Sequence, residues 1–194
     1  SEYHIKLERS NDKPTITTGF SGLFVVDSSV NAKDLPNFTL GDKDLADGLQ
    51  GPEVDFVQVS VEFLDGANAP YTNGVLQFKS ALPAGVTVTN AAGDNTLVFQ
   101  GTLASVQAAL NLVQAKTAGA DADLANLKIK VTVDDRLRDG SGNLTPGANG
   151  GALNEDGTAP NDTFNVASVT LNVAASDKND PPVVVVAAGP MVVN

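Results

Sequence analysis

The sequence predicts an all-β fold, an antiparallel β-sandwich carrying one short helix. Three observations predict it. Apolar and polar residues alternate in three long runs, the pattern of strands with one buried face. The acidic residues divide into 18 Asp and 5 Glu, accompanied by 18 Gly and 10 Pro. Asp, Gly and Pro favour turns, whereas Glu favours helices. Only one stretch spaces its apolar residues three and four apart.

Taken in chain order, Tyr3-His4-Ile5-Lys6-Leu7 is a short alternating strand, followed by Ser10-Asn11-Asp12-Lys13-Pro14. Short strands are expected at 15–20 and 23–26. Residues 54–63 set Val57, Val59, Val61 and Phe63 on one face, with Gln58, Ser60 and Glu62 on the other. Asp65-Gly66, just after Phe63-Leu64, reads as a turn. Further strands are expected at 74–78, 86–89 and 96–99. Leu103, Val106, Leu110 and Val113 then have helical spacing, so a helix of about three turns is expected near 103–113. Thr102 is its candidate N-cap, and the Leu/Val stripe is read as core. Asp121 and Asp123 read as solvated turn residues. Leu127, Ile129, Val131 and Val133 alternate with Lys128, Lys130 and Thr132. Residues 139–162 are rich in Gly, Asn and Pro, the composition of a long loop. Val169, Leu171 and Val173 form the last long strand, and 183–186 is a further β-prone run.

Composition excludes several functions. A chain of 194 residues is one domain's worth, and at 42% hydrophobic it can bury a core. Without Cys there is no disulfide framework, thiol nucleophile or Cys-based zinc site. His4 is the single His, which removes multi-His metal sites. A net charge of −11 with three Arg (Arg9, Arg136, Arg138) argues against nucleic acid as a partner. No apolar run approaches the roughly 20 residues of a membrane-spanning helix, so no membrane insertion is expected. An enzyme is not expected either: a two-carboxylate glycosidase would have no Trp and only Tyr3 and Tyr71 to hold a sugar ring.

The two ends resemble each other. Ser10-Asn11-Asp12-Lys13-Pro14 corresponds to Lys178-Asn179-Asp180-Pro181-Pro182, and Asn11 stands 168 positions before Asn179. Each motif follows a short alternating strand and precedes a β-prone run. A repeat this long describes beads on a string. The expected division is 1–12 as the tail of a preceding repeat with its linker, 13–180 as one complete module, and 181–194 as the linker end with the first strand of the next repeat. With neither an initiator Met nor a signal peptide, the chain reads as a piece of a longer one.

Asp177-Lys178-Asn179-Asp180-Pro181-Pro182 resembles the D-x-N-D-N-x-P linker of cadherins. The chain as a whole more closely resembles the cadherin-like tandem repeats of giant bacterial surface adhesins, including RTX adhesins. It has their order of motifs: an N-D-x-P linker, a short strand Phe38-Thr39-Leu40, the Asp42-Lys43-Asp44 motif, a Gly101-Thr102-Leu103 turn into an Ala/Leu helix, and Val131-Thr132-Val133-Asp134-Asp135. A Gly-rich excursion and a final strand return to the linker. The resemblance implies a cadherin/Ig-like Greek key.

It also implies calcium at the joints between repeats. Calcium takes six to eight oxygens at about 2.3–2.6 Å, which short Asp side chains, Asn and backbone carbonyls supply. The resemblance assigns Asn11, Asp12, Asp42, Asp44, Asp134 and Asp135 to the N-terminal joint, with Asp139 a further candidate. It assigns Asp27, Asp177, Asn179 and Asp180 to the C-terminal one. Cadherins add an L-D-R-E motif there. Leu103-Ala104-Ser105-Val106 takes its place without a carboxylate, so weaker occupancy is expected at that joint. Carboxylates about 4 Å apart repel by roughly 1 kcal/mol in water and more at lower dielectric, so a clustered set needs a cation.

The expected function is that of a calcium-rigidified extender module of a large secreted bacterial adhesin, holding an adhesive tip away from the cell in adhesion or biofilm formation. Neighbouring repeats are its expected partners, and the extracellular cell surface its expected place. Extracellular modules bind calcium at about 10⁻⁴–10⁻³ M. The alternative is a ligand-binding or self-associating module that uses the 139–162 loop.

Overall fold

Alternation and turn chemistry dominate the chain's local structure. The computed structural model describes residues 10–11, 13–27, 32–42, 56–90, 93–118, 124–134, 153–154 and 166–176. Among the described residues nine strands precede one helix: β1 (Ser10–Asn11), β2 (Thr15–Thr18), β3 (Leu23–Asp27), β4 (Lys33–Asp34), β5 (Phe38–Gly41), β6 (Phe56–Leu64), β7 (Gly74–Phe78), β8 (Thr87–Val88) and β9 (Thr96–Thr102). Helix α1 (Leu103–Leu110) leads to β10 (Val113–Thr117), β11 (Leu124–Asp134), β12 (Leu153–Asn154) and β13 (Val166–Ser176). The described residues are mostly β with one short helix, as the sequence predicts.

The largest sheet has the order β3-β13-β11-β6-β9-β8. Its register lines up one apolar face. Val59 stands between Phe99 and Val133, and Val61 between Leu97 and Val131. Ile129 stands between Phe63 and Leu171, and Val173 between Leu127 and Phe24. All of these side chains are buried. Full burial of each such side chain contributes about 1.5–3 kcal/mol. The same cluster is completed by Leu76 of β7, Val113 and Ala115 of β10, Phe38 and Leu40 of β5, and Val106, Ala109 and Leu110 of α1. β4-β10-β7 and β2-β5 form smaller sheets.

Three features differ from the sequence expectation. First, the pairing is not antiparallel throughout, because β3 runs parallel to β13 and β1 parallel to β12. The first accompanies a change of sheet: β2 pairs with β5, and the chain then crosses to the edge of the large sheet, where β3 pairs with β13. Gly22 makes this crossing at φ 135°, where a side chain is disfavoured. Second, α1 ends at Leu110, because Val113 opens β10, in which Val113, Ala115 and Thr117 are buried alternately. Third, the 139–162 segment contains β12. Thr102 is the N-cap: its hydroxyl accepts from Ser105 N at 3.4 Å. The turn at Asp65 also forms, its Oδ1 accepting from the amides of Ala67 and Ala69. β11 begins three residues before its alternating run, and a register irregularity there coincides with Asn126 at φ 69°, a conformation that Asn tolerates.

Gln107 ties the helix to the sheet. Its Nε2 donates to Phe38 O at 2.8 Å, and its Oε1 accepts from Leu40 N at 2.7 Å. One carboxamide thus meets a donor and an acceptor two residues apart on β5, as a neighbouring strand would. Gln107→Ala leaves both part-buried groups without that partner and should destabilise by about 1–3 kcal/mol, read from the urea midpoint.

A polar row crosses the small sheet. Gln114 Nε2 donates to Asp34 Oδ1 at 2.6 Å, and Lys79 Nζ donates to Asp34 Oδ2 at 2.9 Å. These donors, Gln114 first and then Lys79, hold the Asp34 carboxyl below its ordinary value. A lowered folded-state value adds stability above the unfolded pKa and loses it as pH falls through the folded one. The Asp34 side chain is 54% exposed, so solvent screening keeps the effect small. Asp34→Asn should therefore be slightly less stable than the parent at neutral pH and indistinguishable from it in strong acid, by denaturant titration at both.

Candidate functional site

The sheet has two ends, and strand direction assigns the candidate ligands to them. β11 ends at Asp134, opposite Gln58 near the start of β6 and Val166 at the start of β13. β9 ends at Thr102, opposite Phe56, so α1 also begins at this end. β4 runs antiparallel to β10, which starts just after the helix, and Leu35 N donates to Val113 O. The chain therefore approaches the helix end through β4 and β5, and Gln107 of the helix holds β5 there. Asp42 follows β5 directly, beside Thr15, whose hydroxyl donates to Gly41 O at 3.1 Å. Asp42 and Asp134 thus share the end at which the chain enters β2 through Lys13 and Pro14.

Both carboxylates are buried, each 7% exposed. For Asp134 this departs from the alternation, since it stands on the face of β11 turned away from the core. Gln58 and Gln100 lie in the same cross-strand row, and Gln100 is also 7% exposed. Thr132, in the next row, has its hydroxyl buried without a hydrogen-bond partner among the described residues. This buried polar row was not legible in the sequence. Gln58 and Gln100 stand 42 positions apart, and only the β6/β9 register joins them.

Asp27 belongs to the other end. It closes β3 opposite Ser176, the residue before Asp177. Parallel strands bring their C-terminal ends together, so β3 and β13 end side by side. Asn11 lies in β1, paired with Asn154 of β12. Asp12, Asp44, Asp135, Asp177, Asn179 and Asp180 lie outside the described residues. Among the described residues no group of three or more His, Asp or Glu forms a metal-holding set.

One assignment is corrected. The resemblance puts Leu103-Ala104-Ser105-Val106 in the place of L-D-R-E, at the C-terminal end. These residues open α1, at the N-terminal end with Asp134. β9 runs antiparallel to β6 and so delivers the helix where β6 begins. The missing carboxylates say nothing about the C-terminal joint.

Among the described residues no helix is long and apolar enough to cross a membrane. Neither a protein-family model, nor a curated protein, nor a solved structure matches the chain.

Proposed function

We propose that the chain is a calcium-rigidified extender module of a large secreted bacterial adhesin, a structural and not a catalytic element. On this reading the β fold is a sandwich of the cadherin/Ig-like Greek-key type, joined end to end with neighbouring repeats outside the cell. The observation that carries the reading is the distribution of acidic positions between the two ends. Asp42 and Asp134 are buried where the linker enters, and Asp27 closes its strand beside Ser176 where the linker leaves. The boundary motifs at Asn11 and Asn179 supply the period. Buried carboxylates near a linker give a cation something to gather, and a cation gathered there stiffens the joint.

The test is thermal melting in calcium against magnesium and chelator, with small-angle scattering on a chain extended by its neighbouring repeats. Calcium should raise the melting temperature and narrow the distribution of lengths. No rise over magnesium would overturn the reading.

A further inference from the structure

We propose that β12 (Leu153–Asn154), which lies between β11 and β13 in the chain, is a brace for the N-terminal linker. It holds, without any cation, the direction in which the chain enters β2. The inference rests on reading residues 10–12 as a joint between modules, but it does not depend on calcium.

Its basis is the pairing of β1 with β12. Ser10 stands opposite Leu153 and Asn11 opposite Asn154, in parallel. β1 is the linker, and β12 belongs to the connection. The two feet of that connection, Asp134 and Val166, face each other across β11 and β13 at the end where the linker arrives. Only Asp12, Lys13 and Pro14 separate β1 from β2. The four Cα–Cα steps from Asn11 to Thr15 span at most about 14 Å, so the pair stays near the start of β2. Pro14 is buried, and its ring fixes φ, which leaves the link little freedom to swivel. The orientation of β1 is thereby passed on to β2, which is itself held along its length by β5.

A loop that served only to reach a ligand would have no reason to pair with the linker. A brace explains why β12 pairs with residues 10–11. It divides the work at the joint: backbone pairing sets the direction, and a cation adds stiffness.

Amide hydrogen exchange on the whole chain tests the brace. In chelator, at least one of the Ser10 and Asn11 amides should exchange about tenfold or more slowly than in a free peptide. Replacing both Leu153→Pro and Asn154→Pro removes two backbone donors and should return residues 10–11 to the free-peptide rate. The amides of β6 and β11 should be unchanged, which shows that the domain remains folded. A second variant, with 150–157 replaced by Gly/Ser repeats, should behave the same way if the prolines disturb the fold. Unprotected amides at 10–11 in the parent, or protection that survives both variants, would overturn the brace. Protection retained in chelator with no further gain in calcium supports the brace and counts against the calcium reading alone.

Discussion

Phe63→Ala should lower the free energy of unfolding by about 3–5 kcal/mol, read from denaturant titration. The ring is fully buried in the central sheet, beside Ile129 on β11. It packs against Tyr71 with ring centroids 5.4 Å apart. Gly74 at the start of β7 lies directly over it: a Cβ added there would stand 2.6 Å from Phe63 Cγ. Glycine is therefore required at 74 by the ring, not by its own backbone. Two further expectations follow from that geometry. Gly74→Ala alone should destabilise by about 1–3 kcal/mol, because the ring has nowhere to go. In the Phe63→Ala background the same substitution should cost much less, since the atom it meets is gone. The double-mutant cycle should then show a coupling of about 1 kcal/mol or more, and additive losses would refute the contact.

Phe63 also shows how much of the fold the sequence carried. The β6, β11 and β13 runs were legible because each alternates large apolar residues with polar ones over six or more positions. The core faces of these strands followed directly. β10 was not legible. Val113 lies at helical spacing from Leu110, and Val-Gln-Ala-Lys-Thr contains a single large apolar residue, so its alternation reads as the tail of the helix. Ala115 and Thr117 are buried in a strand that lies between β4 and β7, a placement no local pattern announces. Direction was equally hidden. Alternation looks the same in parallel and antiparallel strands, so the parallel approach of β3 to β13 appeared only with the register. The same holds for the candidate site. The resemblance, not any local pattern, named Asp42, Asp134 and Asp27 and assigned them to two ends; where each stands in the fold is set by strand pairing. The burial of Asp134 on the face away from the core, and the Gln58 and Gln100 row beside it, depend on pairings between strands far apart in sequence.

Calcium should raise the stability of the domain, and Asp42→Asn and Asp134→Asn should abolish that increment. At about 100 times its dissociation constant, one calcium bound only to the folded state adds about 2.7 kcal/mol. For a chain of this size that is a rise in melting temperature of about 5–10 °C per site. The increment is the proper readout, because both carboxylates are buried and their replacement has a structural effect of its own. If Asp42 and Asp134 are ligands, each Asn variant loses stability in calcium that it does not lose in chelator. If they only support the loops around them, the loss is the same in both, and the increment survives. Asp65→Asn supplies the control: its carboxylate accepts from two amides of its own turn, so the substitution should weaken the turn and leave the increment intact. Asp27→Asn separates the two ends. Asp27 stands at the end opposite to Asp42 and Asp134, so its loss should spare an increment that arises at the N-terminal joint. An increment that falls with Asp27 and not with Asp134 would locate the cation at the opposite end instead, beside Ser176.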